Sequence, residues 1–152
     1  MCRIFYNPSD NTWFEEEDLI SFFEALEKSG GKDGNGVYQF SRGLLTKTMD
    51  MIPRGLDITE SFLFHTRNGT HGLKKLKNVQ PFVSERYVVV HNGICSGLKP
   101  HAVLIGMYDD TFSDTYMIFR LINHYGIINF YNAFINNSYG VILVYDKETE
   151  LM

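Results

Sequence analysis

Two apolar segments that each run into a polar, glycine-containing cluster constrain this chain more than any other feature. The first is SFLFHTRNGTHG at 61–72, and the second is RYVVVHNG at 86–93. Each segment predicts a strand that ends in a loop, and loops held by a rigid scaffold often carry binding and catalytic residues. The repetition therefore predicts a site where the two loops converge.

Apolar residues at helical spacing predict three helices around these strands. The first helix has an apolar face within residues 19–26, and a Thr-x-x-Glu capping box at 12–15 precedes that face. A second amphipathic helix begins after Ser113, which is a good N-cap residue, and ends at Gly126. A third helix covers about residues 127–137.

Three further segments predict strands, namely CRIFYN at 2–7, VYQF at 37–40 and YGVILVY at 139–145. Helices and antiparallel-style strands in this order favour a layered domain of the α+β class. The chain has 152 residues, 44% of them hydrophobic, which is enough to bury one core. We therefore predict a single domain over 1–152.

The charge balance and the cysteine count argue against several classes of protein. Fourteen Lys and Arg stand against 18 Asp and Glu, which disfavours nucleic acid or an anionic membrane as a partner. The chain shows no basic and apolar leader, no apolar stretch near the roughly 18 residues of a membrane span, and only two cysteines. We therefore expect a cytoplasmic protein. His65 and His71 lack a convincing third ligand, so no metal or other cofactor is expected.

Cys2 lies directly behind the initiator methionine. If Met1 is removed, as a small second residue generally permits, Cys2 carries a thiol and an α-amine whose pKa is about 7.7–8.0. The amine can then take the thiol proton, directly or through one water, so no histidine base is required. Such a group attacks an amide or ester carbonyl and forms a thioester that water hydrolyses. The residue alone also fits an ordinary strand cysteine.

Three other positions suit the same chemistry. Attack on a carbonyl creates an oxyanion, which a loop at His91-Asn92-Gly93 would stabilise through the Asn92 amide and the Gly93 N–H. Arg67 suits an α-carboxylate because its planar fork makes two parallel hydrogen bonds, and Asp114, at the start of a predicted helix, suits an ammonium group. In isolation, Asn92-Gly93 also fits a turn, and Arg67 and Asp114 also fit surface charges.

The motifs HTRNGTHG, VSERYVVVHNGI and SDT, in that order behind Met-Cys, make the chain resemble the glutaminase domain of class II glutamine amidotransferases. These proteins are N-terminal-nucleophile hydrolases, and the likeness is closest to the glutaminase domain of glucosamine-6-phosphate synthase. The resemblance spans essentially the whole chain from Cys2 onward. It implies a four-layer αββα sandwich and the hydrolysis of the glutamine side-chain amide to glutamate and ammonia.

By motif position, the resemblance also implies a role for each candidate residue. Cys2 corresponds to the nucleophile, and Asn92 with Gly93 corresponds to the oxyanion hole. Glutamine would be bound by Arg67, Thr70, His71 and Asp114, with Asp114 as the partner of the ammonium group.

The sequence departs from the family in four ways, one of which is the loss of an arginine and a serine from the turn at 30–36. Arg3 replaces a glycine beside the nucleophile, and Asn68 replaces a tryptophan that helps to gate the synthase site. The chain is also shorter than most glutaminase domains. The sandwich is therefore expected to be truncated, with an exposed sheet edge that a separate synthase subunit or self-association would cover.

We favour a glutaminase subunit that passes ammonia to a separate acceptor enzyme. A catalytically inactive protein of the same fold that binds glutamine or a partner stays open as an alternative. A hydrolase of another amide is a third interpretation, which the pairing of Arg67 with Asp114 disfavours because that pair fits a free amino-acid end.

Overall fold

The structure is a computed structural model that describes residues 2–9, 15–49, 56–57, 59–70 and 72–152. The described chain combines helices with two antiparallel sheets, which confirms the α+β class. It divides into two compact units, the first comprising Met1–Asn68 with Lys74–Pro81 and the second Gly69–Leu73 with Phe82–Met152. The prediction of one domain over 1–152 stays a prediction.

The first unit is built on a four-stranded antiparallel sheet. Its strands in chain order are β1 (Arg3–Asn7), β2 (Asn35–Gln39), β3 (Leu44–Thr48) and β4 (Phe62–Thr66). Across the sheet they are ordered β1-β4-β2-β3, so β4 is paired on both sides. A 3-10 turn at Leu76–Asn78 belongs to the same unit. The strand that leads to Arg67 is therefore, like β2, an interior strand of this sheet.

Helix α1 (Glu16–Gly30) packs on one face of this sheet. Leu19 and Phe23 are buried, and the ring of Phe23 stacks on Phe64 with the two centroids 4.1 Å apart. Phe22 and Leu26 pack at the margin of the same core. The helical spacing of these residues predicted this apolar face, and the structure confirms it.

The start of α1 differs from the prediction. Glu15 is the N-cap, its backbone is extended, and it therefore precedes the helix, whereas a capping box would place it inside the first turn. Thr12, the other member of the predicted box, lies outside the described residues. The helix ends at Gly30, and the Gly31 N–H donates to the Glu27 carbonyl at 2.9 Å. A Cβ on Gly31 would lie 1.6 Å from Thr66 Oγ1, so glycine permits this close approach to β4.

The second unit combines a three-stranded antiparallel sheet with helices. The strands β5 (Phe82–Val83), β6 (Tyr87–Cys95) and β7 (Ser138–Asp146) lie in the order β5-β6-β7. The helices are α2 (Leu98–Leu104), α3 (Asp114–Tyr125) and α4 (Ile127–Phe134), and a 3-10 turn at Ile135–Asn137 follows α4. Within the described residues, no helix has the length and apolar character that crossing a membrane requires.

The core of the second unit lies between its sheet and helices α3 and α4. It contains Tyr87 and Val89 of β6, together with Ile118, Leu121, Ile122, Phe130 and Phe134. The predicted limits of α3 are confirmed, because Ser113 Oγ accepts the Tyr116 N–H at 3.2 Å and the Gly126 N–H donates to Ile122 O at 2.8 Å. The sequence analysis did not predict β3, β5 or α2.

The segment His91-Asn92-Gly93 is a strand, and the prediction of a loop there was wrong. β6 continues through these residues to Cys95, and Gly93 lies opposite Gly140 of β7. A Cβ on Gly93 would lie 1.8 Å from the Tyr139 carbonyl oxygen, so this glycine serves the close approach of two strands. Pairing along the whole of β7 outweighs the local preference of Asn-Gly for a turn.

Candidate active site

In the first unit, Cys2 lies against the chain that leaves β4. The pairing of Arg3 with Thr66 places Cys2 beside the segment that begins at Arg67. The thiol of Cys2 accepts a hydrogen bond from the Asn68 N–H at 3.3 Å and donates to the Asn68 carbonyl at 3.5 Å. The fold thus joins two residues that are 66 positions apart in the sequence.

Arg67 is almost completely buried, with 2% of its surface exposed. Its N–H donates to the Gly34 carbonyl at 2.8 Å, and its carbonyl accepts the Asp33 N–H at 3.0 Å. Arginine side chains are rarely buried unless they are paired. The interpretation of Arg67 as a surface charge was therefore wrong, and a rigid backbone holds it at the end of β4.

Arg3 occupies the position where the resembling family has glycine. Its Nη1 donates to the Cys2 carbonyl oxygen at 3.1 Å, so the side chain folds back along the chain. The Asn68 side chain is exposed, and only its backbone contacts the Cys2 thiol. Both departures from the family therefore lie next to the proposed nucleophile.

In the second unit, Asp114 is the first residue of α3 and its carboxylate is fixed by backbone donors. Oδ1 accepts the Thr115 N–H at 2.8 Å, and Oδ2 accepts the Cys95 N–H at 3.3 Å. The side chain is 14% exposed, which argues against an ordinary surface charge. The contact with Cys95 brings Asp114 to the end of β6, two residues beyond Gly93.

His91 is a neighbour of Asp114 that the sequence analysis did not place in the site. Its ring Nδ1 lies 3.8 Å from Asp114 Oδ2 and 3.4 Å from Thr115 Oγ1, and its side chain is fully buried. Burial lowers the pKa of His91, although the Asp114 carboxylate and the Tyr139 backbone act in the opposite direction. A neutral His91 at pH 7 leaves the charge of Asp114 available to another cation. Alternation along VVVHNG, which puts His91 on the core face with Val89, was the signal available in the sequence.

The direction of the Gly93 N–H follows from the hydrogen bonds of β6. The Arg86 carbonyl accepts the Lys147 N–H beyond the end of β7, whereas the Tyr87 backbone bonds to Ser84 on the β5 side. Backbone groups alternate along an antiparallel strand, so Gly93 belongs to the same set as Tyr87 and faces away from β7. The Gly93 N–H is therefore directed away from the β6–β7 ladder even though the residue is in a strand.

The side chain of Asn92 points in a different direction from that of His91. Successive side chains of a strand project to opposite faces, and the His91 ring is on the face that carries α3. Asn92 accordingly projects from the other face of the sheet. The structure therefore brings Asp114 to the backbone of β6 and not to the side-chain amide of Asn92.

Thr70 lies in a loop that packs against residues 111–113, which directly precede α3. The Leu73 N–H donates to the Thr111 carbonyl at 3.1 Å, and a Cβ on Gly72 would lie 2.7 Å from the Ser113 N. Gly72 has a φ of +74°, a conformation that glycine adopts without strain. Thr70 is exposed in this loop, and His71 lies outside the described residues.

Cys95 has a different environment from Cys2. It is buried, and burial raises the pKa of its thiol to about 11. Because the thiolate is the reactive form, Cys95 is unreactive at neutral pH. Cys2 is therefore the better candidate of the two for a nucleophile.

No protein-family model matches the chain, and no curated protein matches it significantly. Among the described residues, no group of three His, Cys, Asp or Glu side chains has a geometry that could hold a metal ion. The candidate residues therefore form two sets. Cys2 and Arg67 belong to the first unit, and Asn92, Gly93, Asp114 and the loop of Thr70 belong to the second.

Proposed function

We propose that this chain is a class II glutamine amidotransferase subunit that hydrolyses glutamine to glutamate and ammonia. The observation that carries the proposal is the position of Cys2, whose thiol contacts the backbone of Asn68 directly beside the buried Arg67. Arg67 directly precedes Asn68 in the chain, and a cation there would suit a substrate with a carboxylate at one end. The ammonia would pass to a separate acceptor enzyme.

The reaction begins once Met1 has been removed and Cys2 carries a free α-amine. The amine takes the thiol proton, and Sγ attacks the side-chain amide carbon of glutamine. The tetrahedral intermediate collapses to a thioester as ammonia departs with the proton. Water then attacks the thioester carbon, which releases glutamate and restores the thiol.

The other candidate residues divide the recognition of glutamine between them. The Asn92 amide and the Gly93 N–H donate to the oxyanion, whose stabilisation is usually the largest catalytic contribution. The guanidinium of Arg67 pairs with the α-carboxylate, while the Asp114 carboxylate receives the α-ammonium group. Thr70 and His71 complete the segment that binds the substrate. The buried backbone donors on Asp114 support its part because they fix the carboxylate before substrate arrives.

The proposal also includes the fold of the chain, namely a truncated form of the four-layer αββα sandwich of the N-terminal-nucleophile hydrolases. Two antiparallel sheets, one with α1 on a face and the other with α3 and α4, are compatible with it. The compartment would be the cytoplasm, where free glutamine is available to an enzyme of this kind.

The test compares the release of glutamate from glutamine by three purified proteins. Wild type and Cys95→Ala should turn over, and Cys2→Ala should show no release above background. Intact mass spectrometry establishes in the same samples whether Met1 is absent, which the mechanism requires. Equal rates for wild type and Cys2→Ala would eliminate the proposed enzyme.

One observation favours the alternative, an inactive protein that binds glutamine or a partner. Arg3 bonds to the carbonyl of Cys2, where the family has a glycine that leaves this space open. Binding of glutamine to the protein without Met1, with no glutamate formed, would establish that alternative. Arg3→Gly should then restore turnover if the arginine side chain is the obstacle.

A further inference from the structure

Apolar side chains are exposed on β7 and on α4, with Tyr139 and Val141 projecting from the face of the sheet opposite to the helices, since Ile142 and Val144 face the helical core. Tyr139 and Val141 of β7 are 83% and 53% exposed, and Ile128 and Tyr131 of α4 are 69% and 57% exposed. A groove of about 440 Å³ runs between the two elements. Its apolar lining includes Ile127, Phe130, Tyr131, Ile135, Ile142 and Val144. We call β7 residues 138–145 with Ile128, Tyr131 and Ile135 the β7 edge surface.

Among the described strands, β7 pairs with β6 alone, so its other side is a sheet edge. Residues 138–145 read SYGVILVY and contain no charged residue and no proline. Natural edge strands normally carry lysine, proline or a bulge, because an open edge otherwise pairs with another chain. An uncharged run of β-branched and aromatic residues is the kind of segment that pairs most readily. The composition of β7 therefore indicates a strand that is covered in the working protein.

The structure shows what kind of element the edge accepts. The Asp146 N–H donates to the Leu151 carbonyl at 2.9 Å, and these two residues form an antiparallel bridge beside β7. Since Asp146 faces outward, alternation along the strand directs the backbone groups of four further residues outward. These are Ser138, Gly140, Ile142 and Val144. Within the part of the chain that the structure describes, no strand pairs with β7 on this side from 138 to 144, so these positions can accept an antiparallel strand.

We propose that β7 of a second copy of this chain occupies the edge, antiparallel to the first about a twofold axis at Val141. The four outward residues are symmetric about that position, since Ser138 would pair with Val144 of the second copy and Gly140 with Ile142. In each copy, Leu151 already occupies the edge beside Asp146, so the pairing between the two copies of β7 stops before Asp146.

The strand's own chemistry fits this occupant. Because residues 138–145 are uncharged, antiparallel copies of β7 place no like charges opposite each other, a pairing that would be destabilising. The contact is isologous, so it closes at two copies and leaves no new edge of β7 open. A twofold axis perpendicular to the sheet puts both copies of α4 on the same face of the joined sheet. Their exposed apolar side chains would add to the surface area that a stable dimer requires.

A cysteine scan tests the register directly. Opposite residues at a position without ladder hydrogen bonds have Cα atoms about 4.5 Å apart, which is within the range that a disulfide spans. In a Cys2→Ala background, Val141→Cys should form a disulfide-linked dimer under mild oxidation. Val103→Cys is the matched control, because Val103 is 54% exposed and Val141 53%. We expect at least tenfold more covalent dimer from Val141→Cys than from Val103→Cys at the same concentration.

A charge at the axis tests the association without oxidation. Val141→Lys places two like charges opposite each other, whereas Val103→Lys adds the same charge on α2. Sedimentation velocity should give a dimer for wild type and Val103→Lys and a monomer for Val141→Lys, with circular dichroism confirming that all three are folded. A monomeric wild type at 100 µM would overturn the proposal, as would a Val141→Lys dimer. A strand of another protein bound at this edge, with wild type otherwise monomeric, would overturn it too. These outcomes are independent of whether the chain hydrolyses glutamine.

Discussion

Replacing Arg67 by alanine should weaken the binding of glutamine more than any other single change in the first unit. A hydrogen bond between charged groups contributes about 1.5–3 kcal/mol, and a guanidinium can make two such bonds to one carboxylate. Arg67 is 2% exposed, so solvent screens this pair little. After the cost of bringing both charges out of water, we expect a loss of about 2–4 kcal/mol, or about 30- to 1,000-fold in Kd.

The assay is isothermal titration of glutamine into Cys2→Ala protein, which binds substrate without turning it over. Arg67→Lys keeps the charge but loses the planar fork, so its Kd should lie between those of the parent and Arg67→Ala. Arg42→Ala is the control, because Arg42 is 51% exposed and belongs to the same unit. Thermal unfolding of each variant separates lost binding from lost folding.

The sharper test varies the substrate as well as the protein. Glutamine α-amide lacks the carboxylate, so the parent protein should bind it more weakly than glutamine by about the factor that Arg67→Ala costs. Arg67→Ala itself should bind the two ligands with similar affinity, since this variant lacks the guanidinium that binds the carboxylate. If Arg67→Ala retains the full discrimination, the carboxylate is held elsewhere and the assignment of Arg67 is refuted.

Three further predictions concern the strands and thiols. Gly93→Ala should lower the melting temperature and abolish glutamate release, because its Cβ would lie 1.8 Å from a carbonyl oxygen of β7; an unchanged melting temperature would contradict the strand register. Iodoacetamide at pH 7.5 should label Cys2 and not Cys95, whose pKa is about 11; peptide mapping that finds Cys95 modified in folded protein would contradict its burial. Hydrogen bonding to Arg86 lowers the pKa of Asp146, so the pair stabilises the fold above the ordinary carboxyl pKa, and this contribution is lost as pH falls through the lowered value. Denaturation midpoints measured from pH 7 to pH 2 should fall less steeply at the acid end for Asp146→Asn than for wild type. If the two proteins give parallel curves, the ion pair does not contribute to the pH dependence of stability.

The helices were predictable because their signals are local. Ser113 and Gly126 bracket twelve residues of α3, and the apolar spacing within them depends on the helix period alone. α2 was missed because it is only seven residues long and has a proline in its first turn. β5 was missed because it contains two residues and carries no periodic pattern. β3 was missed although it has five residues, as many as β1, β2 and β4, so length accounts for α2 and β5 and not for β3.

The candidate site was less predictable, because its contacts join distant parts of the chain. Cys2 and Asn68 are 66 positions apart, and only the motif resemblance suggested that they belong together. The proximity of His91 to Asp114 depends on the packing of α3 against β6, which no spacing rule fixes. The backbone of Arg67 likewise bonds to residues 33 and 34, which are more than thirty positions away in the sequence. Residue type identified candidates, and tertiary pairing decided their surroundings.

The change of His91-Asn92-Gly93 from a predicted loop to a strand alters how the motif would act. An extended strand sends consecutive side chains to opposite faces and backbone groups to alternate sides, so neighbouring residues reach different places. His91 therefore lies near Asp114 on one face of the sheet, and Asn92 projects from the other face. The Gly93 N–H points away from β7 within the plane of the sheet. A two-residue turn would instead let these groups reorient. In the proposed reaction the donors must stand ready before the oxyanion forms, and pairing with nine residues of β7 supplies that rigidity.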